Sequence, residues 1–289
     1  MKHPFECHVD QLCLADQRLS YRLYTQSGLP ERHLVLVHGA GVAGRDTWEM
    51  LVAFLQHWSS VLVLDQRGAG QSHYPDHQEH PFTLPMLVSD LHALVTHLGW
   101  QHFDLGGYSL GGLVSLIYKQ QYPDHVGKQF LLESALLDRV CMEETIALRD
   151  KYSEAAEHLR SQDVESGIRQ FLETISPNRR TTPQADQLAI SRLAQRPLGF
   201  AYALDAVSQG IRTLDRAALI AAQGDVSSFI GGQSVELMHQ LHANLASTLP
   251  NWHYFLVPGT DHSLPFQKPR QIARLMNQEM LRYQTEKPA

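Results

Sequence analysis

Short apolar runs alternate with segments of helical periodicity along most of the chain, and this alternation constrains the fold more than any other feature of the sequence. The apolar runs predict buried strands, and the segments between them predict amphipathic helices. In the first half, the predicted strands are HLVLVHG (33–39), SVLVLDQRG (60–68), HFDLGGYS (102–109) and KQFLLES (128–134). The predicted helices between them span 47–58, 86–98 and 110–121. Such repetition predicts an α/β fold, with a mostly parallel central sheet and helices on both faces.

The segment 136–216 interrupts this alternation, and its helical spacing and many Glu, Arg, Gln and Ala residues predict helices without strands. Outside it, we predict an initial hairpin (13–28), two later strands, AALIAAQG (217–224) and HYFLVPG (253–259), and helices over 235–249 and 269–283. No linker rich in Pro, Gly or Ser flanks the interruption, which argues against a second independent domain. We therefore predict a core of residues 1–135 and 217–289, with residues 136–216 inserted as a helical cap over the substrate cavity.

Composition excludes several classes of partner. The net charge is −6 and the 24 Lys and Arg residues are scattered, so no basic surface for nucleic acid is expected. No segment approaches the roughly 18 apolar residues of a membrane span, and the polar N-terminus does not resemble a signal peptide, so we expect a cytoplasmic protein. Three cysteines are too few for a disulfide framework. A small molecule is the expected partner, and the sequence makes no prediction of oligomeric state.

No metal or organic cofactor is expected either. The closest histidine pairs, His77 with His80 and His239 with His242, lie in polar stretches that lack the cysteine or carboxylate neighbours of a strong metal site. We interpret these four residues as solvated surface histidines.

A serine flanked by glycines stands where a predicted strand becomes a predicted helix. GYSLG (107–111) fits the G-x-S-x-G pattern, in which small residues allow a strained strand-to-helix turn that exposes the serine hydroxyl. Ser109 is therefore the candidate nucleophile. The pattern alone also arises by chance, so the interpretation depends on a base and an oxyanion site elsewhere in the chain.

Two glycine-rich loops follow strands at the same predicted edge of the sheet. VLVHGAGVAG (35–44) can direct a backbone N–H at a developing oxyanion, and the N–H of the residue after the nucleophile would be the second donor. These requirements nominate the amides of Ala40 and Leu110. His38 is expected to order the loop rather than to move protons, and LDQRGAGQS (64–72) is expected to form a tight turn beside the site.

A serine needs a base within hydrogen-bonding reach, because its hydroxyl is a weak nucleophile at its ordinary pKa. His262 in VPGTDHSLPF follows the last predicted strand, in a loop that contains a glycine, at the same sheet edge as Ser109. The other histidines lie in predicted helices or polar loops. We therefore predict that His262 is the base.

With these residues in place, the chain resembles the α/β-hydrolase fold superfamily over nearly its full length. The resemblance rests on four motifs, each of which follows a predicted strand: HGAG (38–41), DQRGAGQS (65–72), GYSLGG (107–112) and PGTDH (258–262). It implies the fold and a hydrolytic serine–histidine–acid triad. It does not imply one substrate, because esterases, lactonases, peptidases and carbon–carbon bond hydrolases share these motifs.

The acid of the triad departs from the usual pattern of the superfamily. Its members usually carry Asp three residues after a glycine that ends the seventh strand, and counting from Gly224 places Ser227 there. Two carboxylates remain. Asp225 follows Gly224 directly, whereas Glu133 ends the sixth predicted strand, where a subset of the superfamily places its acid. We prefer Glu133, because a carboxylate in an apolar run needs a partner and a triad histidine supplies one, and we keep Asp225 as the alternative.

The function predicted from these residues is hydrolysis of an ester-type acyl bond in a small, largely apolar substrate through an acyl-enzyme. Two other enzyme families share motifs with the chain. Its VHGAGVAGRDTW loop resembles that of meta-cleavage product hydrolases, which break carbon–carbon bonds, although Ser263 replaces the Trp usual there. DQRG is similar to prolyl iminopeptidases, although Leu110 replaces the Trp of their elbow. Dehalogenases and epoxide hydrolases are disfavoured, because they carry Asp in place of Ser109. Carbon–carbon bond cleavage and a non-catalytic binding member of the fold stay open as alternatives.

Overall fold

The computed structural model describes residues 4–136 and 142–286. Its eight strands are β1 (Glu6–Cys13), β2 (Arg18–Thr25), β3 (His33–Val37), β4 (Ser60–Leu64), β5 (Phe103–Tyr108), β6 (Val126–Leu132), β7 (Asp225–Gly231) and β8 (Trp252–Val257). They form one sheet in the order β1-β2-β4-β3-β5-β6-β7-β8. β1 and β2 are an antiparallel hairpin, β2 pairs antiparallel with β4, and all later pairs are parallel. The predicted mostly parallel sheet is therefore confirmed.

Helices cover both faces of the sheet. They are α1 (Gly44–Val52), α2 (Leu84–His97), α3 (Leu110–Gln121), α4 (Met142–Arg160), α5 (Val164–Ile175), α6 (Pro183–Leu193), α7 (Pro197–Thr213), α8 (Arg216–Ala221), α9 (Glu236–Thr248), α10 (Leu264–Gln267) and α11 (Pro269–Glu286). α1 and α11 pack together against strands, and α2 packs beside α3. The central strands β3 to β7 are almost wholly buried, as parallel strands covered on both faces must be. None of the described helices combines the length and apolarity needed to span a bilayer.

In the described part of the chain, five helices, α4 to α8, lie between β6 and β7. α4 packs against α5 and α7, and α7 also contacts α2 of the core. The short α8 is different, because it packs against α3. The predicted insertion of helices between two strands is therefore present, while 136 and 216 as boundaries of a cap remain predictions.

The prediction of a strand over 217–224 is wrong. Residues Arg216–Ala221 are helix α8, whose first turn is capped by the Asp215 side chain accepting from the Ala218 N–H at 3.0 Å. Alanine is the strongest helix former, and a short apolar run does not by its periodicity distinguish a strand from a buried helix. The seventh strand is instead DVSSFIG, so it ends at Gly231, seven residues later than expected.

Candidate active site

Ser109 lies between the last residue of β5 and the first residue of α3, in a backbone conformation that few non-glycine residues adopt. Its φ is 52° and its ψ is −117°. The turn is held by four backbone hydrogen bonds: the Ser109 N–H donates to Leu132 O at 3.0 Å, and Ser109 O accepts from the N–H groups of Gly112, Leu113 and Ala135 at 3.0, 3.3 and 2.9 Å. Strain of this kind persists only where surrounding contacts hold it, and it is concentrated at functional sites.

The glycines on either side of Ser109 are required by close packing. A Cβ on Gly107 would lie 2.3 Å from Gly111 O, and a Cβ on Gly111 would lie 2.2 Å from Val37 O. These neighbours are backbone atoms, which cannot move aside as a flexible side chain can. The small residues of the pattern therefore allow α3 to start directly above the ends of β3 and β5.

His262 lies in the loop after β8, with its Nε2 3.1 Å from Ser109 Oγ. The ring is buried, and its centroid is 5.2 Å from that of Tyr108. The loop approaches Gly231 so closely that a Cβ there would lie 2.5 Å from Asp261 O. Asp261 Oδ1 accepts from the Ser263 N–H at 2.7 Å, which fixes the turn around the histidine. Hence the serine and the histidine are brought into hydrogen-bonding distance by backbone packing.

Glu133 follows β6 and faces the other nitrogen of the histidine. Its Oε2 is 3.3 Å from His262 Nδ1, while its Oε1 accepts from the Gly231 N–H at 2.7 Å and from Ser234 Oγ. Burial opposes ionisation of this carboxyl, but the hydrogen bonds from His262, Ser234 and Gly231 outweigh it and hold the pKa of Glu133 below its ordinary value. An ionised Glu133 keeps the proton on Nδ1, which leaves Nε2 free to accept the hydroxyl proton of Ser109.

Asp225, the alternative acid, lies at the opposite end of the sheet. It begins β7 beside Lys128, whereas His262 packs near Gly231 at the far end of the same strand. Asp225 and Gly231 are the two ends of the seven-residue strand, so six steps of strand, or about 20 Å, separate them. Its Oδ1 binds the Lys128 ammonium and accepts from Arg282 Nη2 at 2.7 Å. The interpretation that Asp225 could rotate toward His262 is therefore wrong, because it depended on the misplaced seventh strand.

Ser234 is a site residue that the sequence interpretation missed. With β7 ending at Gly231, the third residue after that glycine is Ser234 rather than Ser227. Its buried hydroxyl donates to Glu133 Oε1. The second glycine-containing run, FIGGQS, was the available signal, and correct placement of β7 would have identified the residue.

Ala40 and Leu110, the predicted oxyanion donors, line the same cavity as Ser109 and His262. Leu110 is the first residue of α3, so its N–H has no partner inside the helix and shares the positive end of the helix dipole. Neither amide donates to an acceptor among the residues that the structure describes. Both are thus available to bind a ligand oxygen.

His38 orders the loop that carries Ala40. Its Nε2 accepts from the Gln66 N–H at 2.8 Å, so its Nδ1 carries the proton and donates to Gly39 O at 2.7 Å. The Gln66 side-chain amide donates to His38 O at 2.8 Å. The loops after β3 and β4 are therefore tied together, and both ring nitrogens of His38 are occupied away from Ser109.

Two cavities meet at Ser109 and His262. The first contains about 620 Å³ of empty space, counting the part open to solvent, and reaches between α4, α5, α7 and the start of α9. Its wall is mainly apolar and includes Tyr152, Phe171, Ile175, Leu204, Val207 and Met238. The second runs toward Arg192 and Phe266. The helices between β6 and β7 thus supply much of the surface around the serine.

The remaining histidines do not assemble a metal site in the described part of the chain, where no three His, Cys, Asp or Glu residues are suitably grouped. His80 is partly exposed and binds Asp76 at 2.7 Å, as a solvated histidine can. His242 differs from our prediction, because it is fully buried and its Nδ1 shares a hydrogen bond of 2.7 Å with Ser228 Oγ. The polar residues around it in the sequence do not indicate that it lies on the inner face of α9.

Comparison with known proteins identifies the fold. Residues 32–269 match the family model described as alpha/beta hydrolase fold. A proline iminopeptidase of Lactobacillus helveticus (strain DPC 4571) is 32% identical over 104 residues, which are 36% of this chain and 35% of that protein. The match therefore spans about a third of the relative's length.

Solved structures match over almost the whole chain at lower identity. A thermophilic esterase from Thermogutta terrifontis with malate bound has a TM-score of 0.75 and 20% identity, and covers 96% of this chain and 99% of its own. A haloalkane dehalogenase loop variant from Bradyrhizobium elkanii has a TM-score of 0.73 and 16% identity, with 98% and 99% covered. Proteins of different named activities thus share this fold, so the activity must be argued from the site.

Proposed function

Because the chain belongs to the α/β-hydrolase family, we propose that it is a serine hydrolase that cleaves an ester-type acyl bond of a small, largely apolar substrate. The observation that carries the proposal is the line of contacts from Ser109 Oγ to His262 Nε2 (3.1 Å) and from His262 Nδ1 to Glu133 Oε2 (3.3 Å). Ser109, at one end of this line, lies in a strained turn and lines a mainly apolar cavity. A nucleophile, a base and a residue that orients the base are what acyl transfer requires.

In the first half-reaction, Ser109 Oγ attacks the acyl carbon while its proton passes to His262 Nε2. The carbonyl oxygen becomes an oxyanion, which the amides of Ala40 and Leu110 bind. Glu133 stabilises the imidazolium without taking its proton. Collapse of the tetrahedral intermediate breaks the bond to the leaving group, which takes the proton from Nε2 and departs as an alcohol. The acyl group stays on Ser109.

In the second half-reaction, the same groups act on water. His262 Nε2 takes a proton from the water as its oxygen attacks the acyl carbon, and then returns that proton to Ser109 Oγ. The carboxylic acid product leaves and the enzyme is restored. Residues 136–216 act in this proposal as a cap whose helices shape the substrate cavity and limit its access to water.

Turnover of 4-nitrophenyl butyrate tests the proposal. We expect the wild type to release many equivalents of nitrophenol, and we expect Ser109→Ala to lower kcat by about 10⁴-fold or more while it stays folded. Ser247→Ala is the matched control, since it removes an exposed serine hydroxyl on α9. Activity retained by Ser109→Ala would overturn the proposal. Release of one equivalent or less by the wild type would favour a non-catalytic binding protein.

A further inference from the structure

The cavity beside Ser109 contains a buried arginine that the acyl-transfer mechanism does not use. Arg149 lies on α4 and only 3% of its surface is exposed. Its Nε donates to Ser208 Oγ and its Nη2 donates to Leu204 O, each at 3.2 Å, and its guanidinium lies 4.2 Å from the centre of the Tyr152 ring. It lines the same cavity as Ser109, His262 and Leu110. A cation is therefore fixed inside an otherwise largely apolar pocket.

Arg149 has no carboxylate within ion-pairing distance among the residues that the structure describes. Its protein acceptors are a hydroxyl and a carbonyl, both neutral, and its Nη1 has no acceptor there. Glu133 lines the same cavity, but its two oxygens already bind His262, Gly231 and Ser234. The positive charge is thus left without an anion in a region where solvent screening is weak.

Arg67 shows how the same chain accommodates a buried arginine for structural purposes. Its Nε donates to Asp90 Oδ2 at 2.6 Å and its Nη2 donates to Asp90 Oδ1 at 2.8 Å. Its Nη1 donates to Asp16 Oδ2 at 2.7 Å. Two carboxylates therefore neutralise Arg67. Buried arginines are rarely left unpaired, because removing a charge from water costs several kcal/mol that only an opposite charge can offset. Arg149 lacks this compensation in the protein alone.

Building on the proposed function, we propose that the substrate carries a carboxylate that the guanidinium of Arg149 binds while the ester bond lies at Ser109. Nη1 is the unoccupied donor, and the hydrogen bonds to Ser208 and Leu204 hold the planar group in one orientation. Arginine suits this task because its donors match the two oxygens of a carboxylate. Burial is the main cause that lowers the pKa of Arg149, to about 10, so it stays charged at neutral pH. The substrate class is therefore a small ester with an apolar body and one anionic end.

Matched ester pairs test the inference. In the first pair the acyl group carries the charge, as in mono(4-nitrophenyl) adipate compared with 4-nitrophenyl hexanoate. In the second pair the leaving group carries it, as in 4-(butyryloxy)benzoate compared with 4-(butyryloxy)benzamide. For each pair, the ratio of kcat/KM for the charged ester to kcat/KM for the neutral ester is measured in the wild type and in Arg149→Gln.

We expect Arg149→Gln to lower this ratio by about 10- to 100-fold in at least one pair, the range for loss of a hydrogen bond to a charged group. Arg149→Lys should lower it less, because it keeps the charge. Arg212→Gln is the control, since Arg212 is an exposed arginine on α7 whose partner is Asp150. An equal loss for charged and neutral esters, or no loss, would overturn the inference and leave Arg149 as a structural link between α4 and α7.

Failure of the inference can be distinguished from failure of the proposed function. If the wild type hydrolyses none of the four esters, the proposed function fails. Calorimetric titration with adipate alone then decides whether Arg149 binds a carboxylate. Binding of adipate to the wild type that weakens about tenfold or more in Arg149→Gln supports the anion site. The absence of binding, or binding that is equal in both proteins, contradicts it.

Discussion

Ser234 Oγ donates a hydrogen bond to Glu133 Oε1 from the position three residues after Gly231. In most members of the superfamily that position, after the seventh strand, holds the aspartate that orients the histidine. Here it holds a hydroxyl, and the carboxylate comes from the end of β6 instead. The two positions therefore converge on the Glu133 carboxylate, whose Oε2 faces His262 Nδ1.

This convergence predicts a rescue. Glu133→Gln should lower kcat by about 10³- to 10⁴-fold, because the amide cannot stabilise the imidazolium and allows the wrong tautomer. Adding Ser234→Asp to that variant returns a carboxylate to the position that contacts residue 133, and we expect at least about a tenfold recovery of kcat, or about 1.4 kcal/mol of transition-state stabilisation. Steady-state kinetics of the single and double variants provides the measurement. No recovery in a folded double variant would count against this account of the position.

Ser234→Ala isolates the hydrogen bond itself. Glu133 keeps its contacts with His262 and the Gly231 N–H, but it loses one of the three donors that favour its ionised form. The pKa of Glu133 should rise, and kcat at pH 7 should fall by about 5- to 30-fold, corresponding to a net hydrogen-bond contribution of about 1 to 2 kcal/mol. A loss as large as that of Glu133→Gln would mean that the hydroxyl does more than support Glu133.

Asp225→Asn should show the opposite pattern to Glu133→Gln. Asp225 neutralises Lys128, which is fully buried, and also binds Arg282. We expect the variant to lose about 3 kcal/mol of unfolding free energy, because it leaves part of a buried ion pair uncompensated, while kcat per folded molecule stays within about threefold of the wild type. Urea denaturation and kinetics on the same preparation separate the two effects. A large loss of kcat without destabilisation would indicate instead that Asp225 acts in the catalytic site.

The mostly parallel sheet and the approach of His262 to Ser109 follow from local patterns in the sequence. Loops that leave the carboxyl ends of parallel strands gather at one edge, so the glycine-rich loop before Ala40, the turn at Ser109 and the loop at His262 could be placed together. The end of β7 could not be placed in this way, because the alanine-rich run AALIAAQG (217–224) ahead of it is as apolar as a buried strand. That single displacement hid Ser234 and made Asp225 a candidate.

Burial of individual polar side chains was the other point that local patterns did not determine. His242 and His239 are similar in sequence context, yet only His242 lies on the inner face of α9 beside Ser228. Arg149 likewise stands among the charged residues of α4, and only the packing of α4 on α7 directs it into the cavity. Such distinctions depend on which face of a helix the tertiary structure covers.

His242 predicts how stability depends on pH. Burial lowers its pKa from 6.5 to about 4, with Glu133 opposing the shift and His239 reinforcing it. Above pH 6.5 the histidine is neutral in both folded and unfolded chains, and its contribution is fully present. As pH falls from 6.5 toward 4, only the unfolded chain takes up the proton, so up to about 3 kcal/mol of stability is lost.

His242→Asn should remove much of this dependence, because an asparagine amide can hydrogen-bond with Ser228 in either direction without titrating. Urea denaturation at pH 7.5 and pH 5 gives the comparison, with His239→Asn on the same helix as the control. If stability falls between these pH values by the same amount in His242→Asn as in the wild type, other groups are responsible.

The mass of the intact protein during turnover tests the central claim most directly. After rapid acid quenching of a reaction with 4-nitrophenyl butyrate, the account predicts a population heavier by one butyryl group, with the added mass mapping to Ser109 after proteolysis. This population should be absent from Ser109→Ala and should build up to a much smaller extent in His262→Ala, which lacks the base that activates the hydroxyl. Turnover without any acylated serine, or a butyryl group located on a different residue, would contradict the assignment of Ser109 as the nucleophile.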